Sequence, residues 1–387
     1  MKTIATLVLP IVAACGRLGF APPPAGDPDP DAMLLDHLAC GAPARFSVGA
    51  ATTRLGAITT PRGYSVITVD GTGEVRGFTY EFETGKLVSR LSDVPLTSNA
   101  LGPIGSLTLG DQLLLAVPYG VPAQANPQLT PVGTRLIPLD AQLAKRAPAI
   151  DHEGWFGAFN SLAPTSSGKL AFLGQLASGE VDAKFVSPLG VDMGAAHPVI
   201  DQAEHIGLQT ILSTAAGFLV AWEADTPSPN EVRAEILDDQ LAVKTPSTTM
   251  SFEAQFDSDI PRVAYQAASD TYVFAWMQKS SMGDQVWISV RDGSLRETQH
   301  LMLGSGYAPA IVAGENDFLV VWEGGSSLGA ARITPDGKVT PLRILGSASI
   351  SSKFAAWDLV VHNGQPAVVW VETGGTGDNL RLDPLCN

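Results

Sequence analysis

The chain has 387 residues, of which 45% are hydrophobic and 16% are charged, and its formal net charge is −15. A chain of this composition can bury a large core. Its strong negative charge argues against nucleic acid or an anionic membrane surface as a partner and is compatible with cationic ligands.

The N-terminus has the pattern of an export signal. Met1 and Lys2 precede the apolar stretch Ile4–Ala14, and Cys15 follows it. A positive residue, about ten apolar residues and small residues before a cysteine indicate a cleaved targeting segment, which is too short to span a bilayer as a helix. The residues Val12–Cys15 resemble the lipobox of bacterial lipoproteins. This resemblance implies a signal peptide over residues 1–15 that ends at a lipidated Cys15, and an ordinary secretory signal is the alternative.

The residue after Cys15 bears on the membrane to which the lipid would attach. It is Gly16 and not the aspartate that marks inner-membrane retention in enteric-type bacteria. The resemblance therefore implies that a palmitate-type anchor holds the protein at the outer membrane, with the leaflet left open.

Residues 16–44 are predicted to be a tether. Ala21–Asp31 is rich in proline and aspartate, and such a segment cannot bury a core and is expected to be extended. Asp27, Asp29 and Asp31 alternate as calcium ligands do, but the glycine and glutamate of a calcium loop are missing. A solvated spacer is the better interpretation.

Short apolar phrases that end in tryptophan, or in a residue in its place, recur seven times at steps of 46 to 56 residues. They are Gly63–Thr68, Gln112–Val117, Gly168–Leu173, Gly217–Trp222, Thr271–Trp276, Asp317–Trp322 and Gln365–Trp370. A third strand with an Asp- and Gly-type turn follows, as at Arg291–Gly293 and Pro335–Gly337, and then a fourth. Such a period predicts an all-β fold, a seven-bladed β-propeller of four-stranded antiparallel blades over residues 45–387, with the tryptophans packed between blades.

The later repeats share a longer phrase with a known group of proteins. Phe318–Trp322 and Ala331–Val339 match a pattern of FLVVW, a variable loop and AR-x-x-x-DG-x-V. Phe218–Trp222 with Arg233–Leu241 also matches it closely, with Asp-Gln in place of Asp-Gly. The pattern resembles the repeats of secreted and surface proteins from bacteria such as the myxobacteria. The resemblance implies an exported propeller and no defined activity, because such repeats are a scaffold for different sites.

The ends of the chain are predicted to meet in the last blade. Leu380–Cys386 aligns with a third strand, after which the chain stops, and Arg45–Val48 is predicted to supply the missing fourth strand. Cys40 would then lie beside Cys386, and export places both in an oxidising compartment. A disulfide between them would remove an exposed edge and contribute about 4–5 kcal/mol in the chain-entropy model.

Few motifs indicate chemistry. Gly325–Gly329 satisfies G-x-S-x-G but lies in a predicted loop and not at a strand–turn–helix. His152 and Glu153 lack the second histidine of a zinc helix. The sequence therefore predicts no catalytic residue, no metal site and no cofactor.

Two kinds of chain segment are expected on one face of the predicted ring. They are the segments that follow the second strands and those that join successive blades. The residues expected there are Glu223, Glu323 and Glu372 with Trp155, Phe156, Phe159, Phe256, Tyr307 and Trp357. Carboxylates beside aromatic rings suit sugars, cationic peptides or a protein loop. The alternative is that the glutamates solvate strand ends while the aromatic rings plug the channel. The longest loop on this face is expected at Pro118–Thr134.

Two functions remain open from the sequence. The first is a monomeric envelope lipoprotein that presents the propeller as a binding or scaffold module for a protein, peptide or glycan, held at the membrane by its lipid. The second is a glycan-active hydrolase, which needs two carboxylates roughly 5–10 Å apart in a cleft.

Overall fold

A computed structural model describes residues 44–384, with gaps at 50–51, 61–62, 71, 84–85, 102–103, 124–125, 158–160, 201–205, 225–228, 252–256, 282, 325–327, 345–356, 363–364 and 375–376. The predicted signal peptide, nearly all of the tether, Cys15, Cys40, Cys386, Phe159 and Phe256 lie outside the described residues. Of Glu372 only the backbone is described.

The described elements are all β-strands, and they pair into seven antiparallel sheets. Sheet 1 contains β2 (Thr52–Thr60), β3 (Gly63–Asp70), β4 (Val75–Glu83) and β5 (Lys86–Thr97). Sheet 2 contains β6 (Gly105–Leu109), β7 (Gln112–Ala123), β8 (Asn126–Asp140) and β9 (Ile150–Glu153). Sheet 3 contains β10 (Trp155–Phe156), β11 (Leu162–Pro164), β12 (Leu170–Leu176), β13 (Val181–Val186) and β14 (His197–Ile200). Sheet 4 contains β15 (Ile206–Thr214), β16 (Gly217–Ala224), β17 (Glu231–Leu237) and β18 (Val243–Thr249).

The remaining three sheets follow the same plan. Sheet 5 contains β19 (Ser258–Gln266), β20 (Thr271–Ser280), β21 (Gly283–Asp292) and β22 (Glu297–Ser305). Sheet 6 contains β23 (Tyr307–Ala313), β24 (Phe318–Glu323), β25 (Leu328–Ile333) and β26 (Val339–Ile344). Sheet 7 contains β27 (Trp357–His362), β28 (Gln365–Gly374), β29 (Gly377–Pro384) and, from the other end of the chain, β1 (Ala44–Gly49). Six sheets have four strands, and sheet 3 has five because β10 and β11 both pair with β12.

The first strands of the sheets surround a central axis. Strands β2, β6, β11, β15, β19, β23 and β27 each contact the next one, and β27 contacts β2, so that the circle closes. The fold is therefore an all-β propeller with four-stranded antiparallel blades, as the repeat predicts.

The repeated phrases form the second strands of the sheets, and their last residues pack between neighbouring sheets. Trp222, Trp276 and Trp370 are almost fully buried, and Trp322 is 7% exposed. Trp276, for example, lies in one apolar cluster with residues of sheets 4 and 5. The prediction that the tryptophans are packing residues is confirmed.

The two ends of the described chain meet in sheet 7. Strand β1 pairs antiparallel with β29, with Ala44 opposite Leu382 and Ser47 opposite Asn379. The predicted fourth strand at Arg45–Val48 is confirmed, and it covers the hydrogen-bonding edge that β29 would otherwise expose.

The segment Pro118–Thr134 differs from the prediction, which made it a loop. Strands β7 and β8 extend into it as a long hairpin, with Pro118 opposite Thr134 and Ala123 opposite Asn126. Beyond Ala116 the segment 99–101 pairs with β7 as far as Gly120. Beyond Gly120 no described strand other than β8 pairs with β7.

A turn of one type joins the third and fourth strands in five sheets. In sheet 4 the Asp238 carboxylate accepts hydrogen bonds from the N–H groups of Gln240 at 2.8 Å and Ala242 at 2.9 Å. The fourth residue of each turn has a positive φ; these residues are Leu143, Gly190, Leu241, Leu295 and Gly337. The three leucines accept an unfavourable backbone conformation because their side chains are buried in the clusters between sheets.

Hydroxyl groups join neighbouring first strands around the axis. Thr108 Oγ1 donates to the carbonyl of Thr59, and Thr59 Oγ1 donates to the carbonyl of Val361. On the other side Ser213 Oγ donates to the carbonyl of Pro164. The Thr59 bond therefore links the first sheet to the last.

Replacing Thr59 with valine is expected to lower the free energy of unfolding by about 0.5–1.5 kcal/mol, because the Val361 carbonyl loses its donor while the side-chain volume is kept. Thr59→Ser retains the hydroxyl and is the matched control. Denaturant unfolding followed by tryptophan fluorescence measures both. If serine cost as much as valine, the hydrogen bond would not be the cause.

Candidate functional site

The first strands enclose a cavity of about 560 Å³ at the centre of the ring, within the usual size range of small-molecule sites. Apolar and polar residues both surround it. Ile58, Ile104, Leu212, Ile260, Val263 and Leu359 are among the apolar ones, and four of these, Ile58, Ile104, Val263 and Leu359, also belong to the apolar clusters between sheets. Thr59, Thr108 and Ser213 line it as well, and their hydroxyl groups donate to backbone carbonyls.

One level of this cavity carries two charged residues. Each repeated phrase forms part of a second strand, and the penultimate residue of the phrase pairs with one residue of the first strand. Because the seven phrases are equivalent, the seven first-strand residues found in this way lie at the same level of the ring. These seven partners are Gly56, Gly105, Leu162, Thr210, Arg262, Ala310 and Asp358. Five are small or uncharged, and Arg262 and Asp358 stand on either side of Ala310. The cavity is bordered by both charges, and the small residues leave room between the strands.

The Asp358 carboxylate is fixed by the backbone. Its Oδ2 accepts the N–H of Ala57 and its Oδ1 accepts the N–H of Leu359, both at 2.8 Å. Burial raises the pKa of Asp358 above 3.8, although these hydrogen bonds and the charge of Arg262 act in the opposite direction. Since the folded-state pKa is the higher one, ionisation of Asp358 costs stability as the pH rises from 3.8 through the folded value.

Arg262 is the positive partner. Burial lowers its pKa to about 10, opposed by attraction to Asp358, so the guanidinium is charged at neutral pH. Below the folded pKa the burial cost of this charge is fully present. Two opposite charges that are half-buried in one cavity make it a candidate functional site.

The buried Glu323, at the end of β24, pairs with the half-buried Tyr307 at the start of β23. The hydroxyl of Tyr307 donates to Glu323 Oε1, and Glu323 is only 3% exposed. Burial raises the pKa of the Tyr307 phenol, and the hydrogen bond to Glu323 adds to this. The two residues lie close together, as the predicted face requires, but Glu323 does not offer its carboxylate to solvent.

Glu223 belongs to a second carboxylate group. The Nδ2 of Asn230 donates to Glu223 Oε1 at 3.1 Å and to Asp259 Oδ1 at 3.2 Å, so one amide bridges the two carboxylates. Lys279 Nζ lies 2.5 Å from Asp259 Oδ2. Burial raises the pKa of Glu223, and repulsion from Asp259 raises it further. The environment therefore favours a protonated Glu223 beside an ion-paired Asp259.

The pH dependence of stability is expected to reveal Glu223. Because its folded-state pKa lies above 4.5, wild-type stability falls as pH rises from 4.5 through that folded value. Glu223→Gln removes this ionisation. The difference in unfolding free energy, variant minus wild type, should therefore increase over that pH window and stay constant above it. Glu315→Gln, at an exposed glutamate, is the control for one lost surface charge. A difference between wild type and Glu223→Gln that stays constant with pH would contradict the assignment.

The other predicted face residues have different surroundings. Trp357 is 8% exposed and lines the cavity. Trp155 is buried, with Lys184 Nζ 4.5 Å from its ring centroid, and Phe156 is half-buried beside it in β10. Sequence reasoning missed Arg262 and Asp358, although each is a charged residue inside an apolar first-strand segment and they stand 48 residues either side of Ala310.

Two general properties concern the described residues alone. Within them, no group of three or more His, Cys, Asp or Glu side chains is arranged to hold a metal ion. The part of the chain with described structure also contains no helix long and apolar enough to cross a membrane.

Comparisons with known proteins identify the fold class alone. No family model and no curated protein matches the chain. Among solved structures, it is similar to a chain of the mitotic checkpoint complex, with a TM-score of 0.56, 10% identity and coverage of 98% of this chain and 100% of that one. It is also similar to the polysaccharide lyase Uly1, with a TM-score of 0.52, 10% identity and coverage of 86% and 90%. A third similar structure is BBS1N in complex with ARL6DN, with a TM-score of 0.51, 9% identity and coverage of 90% and 97%.

Proposed function

We propose that the protein is a seven-bladed propeller lipoprotein of the cell envelope that acts as a binding module. The observation that carries this proposal is the central cavity, which the opposite charges of Arg262 and Asp358 border at one level. If the protein required only a rigid ring, uncharged residues could occupy positions 262 and 358 without loss of stability. The class of ligand is a protein, peptide or glycan element that reaches the cavity.

If the ligand binds in the cavity, a change at Arg262 should selectively reduce its affinity. A defined envelope protein, peptide or glycan that binds the purified protein saturably should bind Arg262→Gln at least tenfold more weakly. Arg233→Gln is the matched control, because Arg233 is a half-buried arginine that pairs with Glu231 on β17, away from the cavity. Equal loss in both variants, or in neither, would contradict the cavity as the binding site.

The lipid anchor is proposed from the sequence around Cys15. Metabolic labelling with an alkyne analogue of palmitate should mark the wild-type protein, and Cys15→Ser should lose the label and leave the membrane fraction. Label retained by Cys15→Ser would contradict the anchor. Fractionation of inner and outer membranes tests the proposed outer-membrane location in the same cells.

The disulfide between Cys40 and Cys386 is supported by the register of sheet 7. The outermost described pair of that ladder is Ala44 opposite Leu382. The same register, if it continued by four residues in each strand, would set Cys40 opposite Cys386. Intact mass with and without reductant, after alkylation of free thiols, measures the bond. Two free thiols in the folded protein would contradict it.

A glycan-active hydrolase is the second candidate, and the pairing of Glu223 with Asp259 favours it. One carboxyl with a raised pKa beside one held as an ion pair is the arrangement that general acid catalysis requires. One similar structure is a polysaccharide lyase, although that likeness extends to the fold alone. The test is the release of reducing ends from purified polysaccharides. Activity that is lost in Glu223→Gln and in Asp259→Asn, and kept in Glu315→Gln, would establish a hydrolase in place of a binding module.

A further inference from the structure

We propose that His152, Lys184 and Asp192 form a pH-sensitive latch, which holds the turn 187–193 of sheet 3 against sheet 2 in neutral solution and releases it in mildly acidic solution. None of these residues lines the central cavity, so the inference does not depend on the proposed binding function. Three features carry it: the directions of the hydrogen bonds in the latch, its burial, and the apolar surface that the turn covers.

The two nitrogens of the His152 ring have different partners. Nδ1 lies 2.9 Å from Nζ of Lys184 on β13, and Nε2 lies 3.0 Å from the carbonyl oxygen of Gly190 in the turn. A lysine ammonium group can only donate, and a carbonyl oxygen can only accept. Nδ1 therefore accepts, Nε2 carries the hydrogen, and the ring is neutral.

Lys184 is held by two further contacts. Its Nζ lies 2.9 Å from Asp192 Oδ1 and 4.5 Å from the ring centroid of Trp155. Lys184 is 8% exposed and His152 is 6% exposed, whereas the side chain of Asp192 is 52% exposed. The latch therefore holds one positive and one negative charge around a neutral imidazole.

A proton on Nδ1 of His152 would face the ammonium group of Lys184 across 2.9 Å. The lost hydrogen bond and the repulsion between two buried cations both favour separation. Asp192, 3.5 Å from Nδ1, and Asp151 attract the protonated ring, but Asp192 faces solvent and Asp151 is paired with Arg135 at 2.6 Å. Lys184 and its partner Asp192 then move away from His152, and Asp192 carries the turn with it.

The titration of His152 has the direction that the latch requires. Burial lowers the pKa of His152 below 6.5 and the charge of Lys184 lowers it further, while the charges of Asp192 and Asp151 and the hydrogen bond to Gly190 oppose both. Because the folded-state pKa is the lower one, the stability that the closed latch contributes is fully present above pH 6.5 and is lost as the pH falls through the folded value.

Release of the turn would enlarge an exposed apolar surface. The backbone of Gly190 lies directly on the fully buried Leu136, since a Cβ at position 190 would be 2.9 Å from Leu136 Cβ. The turn itself already exposes Leu189, Val191 and Met193, by 41%, 50% and 45%. Opening adds Leu136 to these three side chains.

Hydrogen–deuterium exchange of the full-length protein, read by mass spectrometry over residues 187–193 and corrected for the intrinsic effect of pH, tests the proposal. A histidine with its ordinary pKa of 6.5 in the open state can raise the open population by up to about tenfold at about pH 5.5. We expect protection of this segment to fall several-fold in wild type between neutral solution and that pH. Fluorescence of an apolar dye should rise over the same range.

His152→Gln cannot take up the proton, so protection of residues 187–193 should not change with pH in this variant. His197, an exposed histidine on β14 of the same sheet, is the matched control, and His197→Gln should respond as wild type does. Lys184→Met removes the buried cation and leaves Asp192 to attract the protonated ring, so its response should be smaller than that of wild type or reversed.

Circular dichroism at both pH values confirms that each variant is folded. The proposal is overturned if residues 187–193 of wild type lose no protection in acid, or if His152→Gln loses as much as wild type. Either result would leave the proposed binding function intact, because ligand affinity is tested separately at Arg262.

Discussion

Replacing Trp276 with alanine is expected to lower the free energy of unfolding by about 3–5 kcal/mol, the range for deleting a large aromatic side chain from a packed core. Trp276 is fully buried and packs with Leu219, Val232 and Phe274 in the cluster between sheets 4 and 5. The ring of His300 meets it edge-on, with centroids 5.3 Å apart. The gap left by alanine could close only if two sheets moved together.

The indole nitrogen of Trp276 makes a second variant informative. Among the described residues its Nε1 is buried without a hydrogen-bond partner, which is costly for a polar group. Trp276→Phe loses volume but also removes this group, so it should cost much less than alanine, about 1–2 kcal/mol.

Trp287 is the matched control for Trp276. It lies directly opposite Trp276 in the neighbouring strand, but it is half-buried and its Nε1 donates to Gln285 at 3.3 Å. Trp287→Ala should therefore cost well under half of what Trp276→Ala costs. Denaturant unfolding monitored by circular dichroism compares the variants. Trp287 packs against the same cluster while half-buried, so equal losses at the two tryptophans would contradict the role of full burial.

The repeat predicts the fold because the repeated apolar phrases are also the buried second strands of the sheets. Each phrase such as Phe318–Trp322 is apolar on both faces because each sheet is packed between two neighbours. The fourth strand at Arg45–Val48 could be predicted for a related reason, since the last repeat lacked the one element that every other repeat had. Pairing of β1 with β29 follows from that omission.

The hairpin at Pro118–Thr134 was missed because its prolines, at 118, 122, 127 and 131, indicate a loop. Proline is excluded from central strands because it cannot donate a ladder hydrogen bond. From Val121 to Pro131, each of the strands β7 and β8 has only the other as a described neighbour. The outward positions there need no donor, and proline is tolerated as it is on any edge strand.

The charged pair in the cavity could not be predicted from local pattern. Arg262 and Asp358 are 96 residues apart in the sequence, and they face one cavity only because the ring closes. Glu323 shows the opposite difficulty. As an acidic residue at a strand end it is expected to be solvated, whereas the structure buries it against Tyr307.

Loss of the Arg291 guanidinium is the second large effect, with an expected cost of about 2–4 kcal/mol for Arg291→Met, because two backbone carbonyls lose their charged donor. The side chain is 7% exposed. It donates to the carbonyls of Leu295 at 2.9 Å and Met250 at 3.3 Å, to Ser289 Oγ at 2.9 Å and to Glu297 Oε2 at 2.8 Å. Because Met250 follows β18, one guanidinium joins the outer parts of sheets 4 and 5.

Methionine at position 291 fills similar space but removes the donor to the carbonyls of Leu295 and Met250. Glu297 Oε2 keeps its contacts with Ser289 Oγ and His300 Nδ1. Burial lowers the pKa of Arg291 while the charge of Glu297 raises it. The double variant Arg291→Met with Glu297→Gln should cost less than the sum of the two single variants, because both changes remove the same ion pair.

Arg332→Met, at an arginine that pairs with Asp317, should cost less than Arg291→Met because the Arg332 side chain is more exposed than that of Arg291. Additive losses in the double variant would mean that the ion pair with Glu297 contributes nothing measurable and that the contacts with the two carbonyls account for the effect of Arg291.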